Sequence, residues 1–268
     1  MKKLSLLVFV SLFSSIMLAQ TIKVSENELK MQLDSVLAEG NLLYKYEKAA
    51  WISTDLAQEN KTVKKDYGGF FVYEEQGEIR AIILGKNFQN CIAEYSFENN
   101  FSKPKLIKTE SRELSNKEKD LLEVRDRIVE NLSNKEYGVV ISEGYSPNLI
   151  LLPFAGKYKL YIIMGTSQVD VIPFGNDYLF IADKNGKIES WQKFHSRIIP
   201  GYTKMNGSKV TSLAHSHLRT TPLMTATDIC TFMLYAPLYE IDTFSVYSPA
   251  LGKYMTYSLK DNKITVEE

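Results

Sequence analysis

The chain has 268 residues, of which 44% are hydrophobic and 12% aromatic, and its 32 lysine and arginine residues equal its 32 aspartate and glutamate residues. This hydrophobic content excludes an intrinsically disordered chain and predicts a packed globular protein. Because the charges balance, no strongly basic field is available to recruit nucleic acid or an anionic membrane surface.

The first residues predict a secretory signal peptide. Lys2 and Lys3 precede an apolar run over residues 4–18, and Ala19 supplies a small residue at a plausible cleavage point. The run is short for a membrane span, and no cysteine follows that would carry a lipid anchor. We therefore expect residues 1–19 to be removed and the protein to be exported to a bacterial periplasm or the exterior, without a stable membrane anchor.

Residues 20–135 are predicted to form helices and a hairpin. The pattern Ser-Glu-Asn-Glu at 25–28 is a capping box that opens a first helix, and Glu-Gly-Asn at 39–41 predicts an interruption before a second helical stretch to about residue 56. A turn at 76–77 indicates a β-hairpin, with a further strand near 91–97. A second capping box at 115–118 opens an amphipathic helix.

Residues 136–268 are predicted to be richer in strands. Short apolar or alternating runs are separated by glycine, proline, asparagine or aspartate, which favours an α+β fold with a mixed or antiparallel sheet and packed helices. A boundary near 133–138 would make 20–135 an extension packed on a 136–268 core, although 20–268 as one continuous domain is the other possibility. The predicted strands cover residues 139–141, 149–154, 160–164, 178–182 and 188–194.

The segment 215–228 carries the strongest chemical pattern. Residues 209–214 predict a strand, and side chains two apart share a face of a strand, so His215 and His217 point the same way. Thr225 and Asp228 mark the start of a helix whose apolar stripe is expected to end at Pro237. Two imidazoles and one carboxylate suit a divalent transition metal, with zinc as the expected ion and a fourth position open for water.

The pattern HxHx7(S/T)xxD in this segment resembles the signature of the JAMM (JAB1/MPN/Mov34) metalloprotease family. The resemblance implies that His215, His217 and Asp228 are metal ligands and that the Thr225 hydroxyl helps to hold an oxyanion, a role that serine has in the family. It also implies a JAMM/MPN-like core for about the last hundred residues, with a strand pair after the helix at 244–247 and 253–259.

The family's general base is a glutamate on an upstream strand, and this chain differs there. Residues 156–165 resemble that strand, but Tyr158 or Lys159 occupies the expected position of the acid. Glu143 and Glu189 are the candidates that remain for a base. The alternative for each is an ordinary solvated acid, and Asp228 itself could be only a helix cap.

Two functions from different classes follow. The first is an exported zinc-dependent amide-bond hydrolase of the peptidase or isopeptidase type, which would use metal-activated water on a peptide or other amide-containing substrate. The second is a non-catalytic exported binding or assembly protein that keeps the fold, with or without metal. His195 is expected to be a hydrogen-bonded residue at the edge of the site. The pairing of Cys91 with Cys230 and the oligomeric state are left open.

Overall fold

The computed structural model describes residues 22–98 and 101–267, so the expected signal peptide at 1–19 lies outside the described residues. Helices and strands both contribute extensively, and the α+β prediction is confirmed. None of the helices in the described segments combines the length and apolar character that a membrane span requires. The described helices are α1 (Glu26–Glu59), α2 (Lys61–Asp66), α3 (Asn116–Asn131) and α4 (Ala226–Tyr239), with a 3-10 turn at Lys135–Tyr137.

Helix α1 is continuous where the sequence predicted an interruption at 39–41. Ser25 caps it, with the side chain accepting a hydrogen bond from the backbone N–H of Glu28. Gly40 lies where α1 crosses α4, and a Cβ atom built there would be 2.8 Å from Cβ of Ile229. The glycine therefore allows two helices to approach closely and does not end the helix.

The first sheet contains the predicted hairpin. Its turn has Gln76 and Gly77 at φ values of 53° and 81°, which suits a tight connection between antiparallel strands. Strand order is β1-β2-β3-β4, with β5 also paired to β3. The predicted capping box at Ser115 and Glu118 is confirmed at the start of α3. The strands are β1 (Tyr67–Glu75), β2 (Glu78–Gly85), β3 (Asn90–Phe97), β4 (Leu106–Lys108) and β5 (Arg112–Glu113).

A second sheet has the order β10-β9-β7-β6 and is antiparallel, while β8 pairs with β11 beside it. The prediction of a strand at 139–141 is wrong. The backbone of Val140 forms hydrogen bonds with side chains instead. Its carbonyl accepts from Asn176 Nδ2 at 2.6 Å, and its N–H donates to Tyr178 Oη at 3.4 Å. The strands are β6 (Tyr145–Phe154), β7 (Lys157–Thr166), β8 (Val171–Gly175), β9 (Tyr178–Ala182), β10 (Ile188–Lys193) and β11 (Ile198–Tyr202).

The C-terminal sheet has the order β14-β15-β16-β17. Strands β14 and β15 are parallel and α4 connects them, whereas the other pairs are antiparallel. Helix α4 continues past Pro237 to Tyr239 and ends at the left-handed residue Glu240, so the predicted end at Pro237 is wrong. The remaining strands are β12 (Lys204–Met205), β13 (Ser208–Lys209), β14 (Ser212–Ser216), β15 (Thr243–Ser248), β16 (Lys253–Ser258) and β17 (Lys263–Glu267).

Buried side chains from both halves of the chain share one hydrophobic cluster. Leu43 of α1, Ile83 of β2, Ile163 of β7 and Cys230 of α4 belong to it. Such burial supplies most of the favourable free energy of folding, so the two halves stabilise each other. Cys91 lies in a different cluster, and both cysteines are buried free thiols.

Candidate metal centre

Strand β14 delivers two histidines to one place. His215 lies on the strand and His217 follows its end, where its backbone N–H donates to the carbonyl of Tyr247 at 2.9 Å. Because side chains alternate along a strand, both imidazoles point to the same side. Their Nε2 atoms are 3.1 Å apart and their rings are stacked at a centroid distance of 5.1 Å.

Asp228 comes from the first turn of α4 and is held by the helix cap. Thr225 Oγ1 accepts from the backbone N–H of Asp228, while Oδ2 of Asp228 accepts from the backbone N–H of Thr225 at 2.9 Å. The Thr225 hydroxyl also donates to Oδ2 at 2.7 Å. The other oxygen, Oδ1, is buried and has no hydrogen-bond partner among the described residues. A buried carboxylate oxygen without a hydrogen-bond partner destabilises the fold unless a positive charge lies beside it.

The third histidine of the sequence completes the cluster. His195 follows β10, and its Nε2 is 2.9 Å from Nε2 of His217 and 3.5 Å from Oδ1 of Asp228. One ligand atom from each of the four residues, His195, His215, His217 and Asp228, lies within 4.8 Å of the others. The whole sequence has three histidines, and all of them meet here. This buried cluster could hold a metal ion.

The rings of His195 and His217 are oriented by acceptors behind them. Asp177 Oδ1 accepts from Nδ1 of His195 at 2.7 Å, and the carbonyl of Leu223 accepts from Nδ1 of His217 at 2.6 Å. Thr227 Oγ1 in turn donates to the second oxygen of Asp177. With hydrogen on Nδ1, the neutral imidazoles direct the lone pairs of Nε2 into the cluster, which is the usual arrangement around a metal-binding histidine.

The electrostatics of the cluster favour a positive charge at its centre. Burial lowers the pKa of His195, but the carboxylates of Asp228 and Asp177 outweigh it and raise that pKa to about 9. Burial lowers the pKa of His215 to about 4. Burial would raise the pKa of Asp228, yet the three imidazoles hold it well below its ordinary value. One proton on His195, or a metal cation, therefore relieves the repulsion between converging lone pairs.

The distances and the donor set fit a transition-metal ion. A tetrahedral zinc ion with bonds of about 2.0–2.2 Å separates its ligand atoms by about 3.3–3.6 Å. The contacts of His217 Nε2 with His195, His215 and Asp228 are 2.9, 3.1 and 3.1 Å, and His215 Nε2 lies 3.5 Å from Asp228 Oδ1. These contacts differ from that spacing by a few tenths of an ångström, and all four ligand atoms lie within 4.8 Å of one another. Three imidazoles and one carboxylate suit several divalent ions of the zinc type.

The two glutamates expected as a general base do not join this cluster. Glu189 is on β10 and forms an ion pair with Lys157, and Glu143 is exposed in the turn before β6. The hydroxyl of Thr225 is occupied by the cap and by Asp228. Sequence reasoning placed His195 only at the edge of the site and assigned no role to Asp177, so it missed the contribution of Asp177.

Comparisons with protein families, with curated proteins and with solved structures find no match for this chain. The resemblance to the JAMM family therefore rests on the pattern in residues 215–228. The cluster differs from that pattern by the addition of His195 as a fourth candidate ligand.

Proposed function

We propose that the protein binds one divalent transition-metal ion, best suited to be zinc, and that it is an exported binding or assembly protein stabilised by this metal. The ligands would be His195, His215, His217 and Asp228. The position of His195 carries the proposal, because its Nε2 lies 2.9 Å from Nε2 of His217 and 3.5 Å from Oδ1 of Asp228. A fourth protein ligand fills the place that water takes in catalytic zinc sites.

Burial supports a closed centre. The side chains of the three histidines are 0–6% exposed and that of Asp228 is 1% exposed. Four protein ligands shielded from solvent are typical of zinc sites that stabilise a fold. Here the ligands come from the segment after β10, from β14 and its end, and from the start of α4, so the ion would hold these three segments together.

Metal analysis of the purified protein tests this proposal. Elemental mass spectrometry after zinc saturation and removal of excess metal should find about one zinc ion per chain. His217→Ala and Asp228→Asn should each lose it, whereas Asp126→Asn, which changes an exposed carboxylate on α3, should keep it. A chain that retains no transition metal, or a His217→Ala variant that binds zinc as well as the parent, would refute the proposal.

A second candidate function is the zinc-dependent amide-bond hydrolase, and one observation favours it. His195 is oriented by Asp177 at 2.7 Å, which resembles the histidine–carboxylate pairs that serve as general bases. In this case His215, His217 and Asp228 would be the ligands. A bound metal would supply an activated water and polarise the carbonyl of a peptide or other amide. Nε2 of His195 would accept the proton in place of the family's glutamate.

One variant separates the two candidates. If His195 is a ligand, His195→Ala should weaken zinc binding as strongly as His215→Ala does, measured by competition with a chromogenic chelator. If His195 is a base, the variant should keep its zinc and lose hydrolysis of a mixed peptide library followed by mass spectrometry. Absence of any hydrolysis by the zinc-loaded parent would remove the second candidate and leave the first intact.

Export is part of the proposal and has its own test. The apolar run of residues 4–18 behind two lysines supports a cleaved signal peptide. N-terminal sequencing of protein recovered from the periplasm or medium of a bacterial host should begin near residue 20. Recovery of uncleaved chain from the cytoplasm would contradict export without affecting the metal proposal.

A further inference from the structure

A cavity of about 330 Å³ lies between α1, α4 and strands β1, β6 and β7, apart from the metal ligands. Its size falls within the range of small-molecule sites in proteins. Helix α4 contributes Thr231, Leu234 and Tyr235, which follow Asp228 along the same helix. None of the four candidate metal ligands lines this cavity.

The deep end of the cavity holds a buried carboxyl group. Glu47 of α1 is 6% exposed, and its Oε2 accepts from Nδ2 of Asn148 at 2.7 Å. Burial raises the pKa of Glu47 to about 7, against a smaller opposing effect of the Asn148 hydrogen bond. Within the described part of the chain, no lysine, arginine or histidine is among the residues that line the cavity. The carboxylate form therefore lacks a positive partner there.

The walls of the cavity are apolar and partly aromatic. Trp51 and Phe70 are half-buried, and Ile163 and Leu234 are buried. The ring of Tyr235 lies 5.5 Å from that of Trp51, and its hydroxyl accepts from the backbone N–H of Thr166, which anchors this wall. A largely apolar lining with a buried carboxyl group at one end orients a ligand that is itself apolar at one end and polar at the other.

The rim adds a second negative charge. Asp55 is one of the lining residues and is exposed to solvent. It stands on α1 eight residues after Glu47, so both carboxyl groups belong to the same helix. The ammonium group of Lys48 already lies over the Trp51 ring, 5.4 Å from its centroid, and offsets part of the charge of Asp55. A cation entering the cavity would therefore be held chiefly by the carboxyl group of Glu47 at the deep end.

We propose that this cavity binds a small organic ammonium compound, with the ammonium group against Glu47 and the apolar body against Trp51 and Leu234. The proposal is independent of the metal centre, because the two sites share no lining residue. A buried ammonium–carboxylate pair with an additional hydrogen bond is stronger than a neutral contact. A neutral molecule of the same shape should gain the apolar contacts alone.

Calorimetric titration with three matched probes tests the ligand class. 2-Phenylethylamine should bind roughly tenfold to a hundredfold more tightly than 2-phenylethanol, which has the same body without the charge. 3-Phenylpropionate should not bind, because its carboxylate would face Glu47 and Asp55. Equal affinity for the amine and the alcohol, or tighter binding of the anion, would overturn the proposal.

Variants locate the binding. Glu47→Gln should remove the preference for the amine over the alcohol, and Trp51→Leu, which changes a half-buried side chain, should weaken both probes. Asp34→Asn, on an exposed part of α1 outside the cavity, is the control and should bind like the parent. An unchanged amine preference in Glu47→Gln would refute the assignment. If that variant does not fold, undiminished binding of both probes by Trp51→Leu would refute it instead.

Discussion

Glu47→Gln is expected to remove a pH-dependent loss of stability. Burial raises the pKa of Glu47 from 4.5 to about 7 in the folded protein. The neutral carboxyl group therefore stabilises the fold fully below pH 4.5, and this contribution is lost as the pH rises through 7. Each pH unit of displacement corresponds to about 1.36 kcal/mol, so the full effect amounts to about 3 kcal/mol. Glutamine keeps the contact with Asn148 and carries no charge at any pH.

Urea unfolding of wild type and variant at pH 5 and pH 8, followed by circular dichroism, measures this effect. Relative to wild type, Glu47→Gln should gain about 2 kcal/mol or more between the two pH values, since most of the titration falls in that interval. Taking the difference between the two proteins cancels the titration of other groups. Asp34→Asn, an exposed variant on the same helix, should keep a constant difference from wild type.

The same stability difference between wild type and Glu47→Gln at both pH values would refute this reasoning. It would mean that the carboxyl group is solvated as well in the folded protein as in the unfolded chain. If Glu47→Gln instead lost stability relative to wild type between pH 5 and pH 8, the effect would have the opposite sign. That result would indicate that the ionised carboxylate has a positive partner in the folded protein.

Three further outcomes are expected. Asp177→Asn should weaken zinc binding by about tenfold to a hundredfold in a chelator competition, because it removes the acceptor that orients His195; unchanged affinity would contradict that role. Zinc at about a thousand times its dissociation constant should stabilise the protein by about 4 kcal/mol relative to EDTA-treated protein in thermal melts, and identical melting temperatures would exclude a stabilising ion. Gly40→Ala should destabilise by about 1–3 kcal/mol because its Cβ meets Ile229, whereas Ser35→Ala on the exposed side of α1 should not; a neutral Gly40→Ala would show that the helices separate easily.

Local chemistry made several elements predictable. Strand β9 has the predicted bounds, Tyr178–Ala182, and the capping box at Ser115 lies at the start of α3 as predicted. These features depend on alternation and on contacts within a few residues, which the sequence displays directly. The segment that contains His215, His217 and Asp228 was predictable for the same reason, because the end of a strand and the start of the following helix are close neighbours in the chain.

The errors arose where distant contacts override local preference. Gly40 is a packing residue for α4, although glycine near asparagine often interrupts a helix. Val140 lies in an apolar stretch of the sequence, which favours a strand. Its backbone nevertheless forms hydrogen bonds with the side chains of Asn176 and Tyr178. Pro237 removes one helical hydrogen bond near the end of α4, and the chain still completes the helix before Glu240.

The fourth candidate ligand had no local signal. His195 lies twenty residues before His215 and belongs to the segment after a strand of another sheet. Asp177, which orients His195, follows Asn176, and the φ of 53° at Asn176 is typical of a turn. Spacing along the chain does not encode such contacts between sheets. The scarcity of histidine, with three in the whole sequence, was the one signal in the sequence that pointed to His195 as a further ligand. Zinc, hydrolysis and a JAMM-like core stay predictions.

The candidate ligands come from two separate sheets, and this bears on the cooperativity of unfolding. His195 follows the last strand of the β10-β9-β7-β6 sheet, while His215 belongs to the β14-β15-β16-β17 sheet. With metal bound, both sheets should exchange backbone hydrogens through one global opening. Without it, the C-terminal sheet should open at a lower free energy than β7 and β9, as a sub-global unit. Metal supply would then decide whether the chain behaves as one cooperative body or as two.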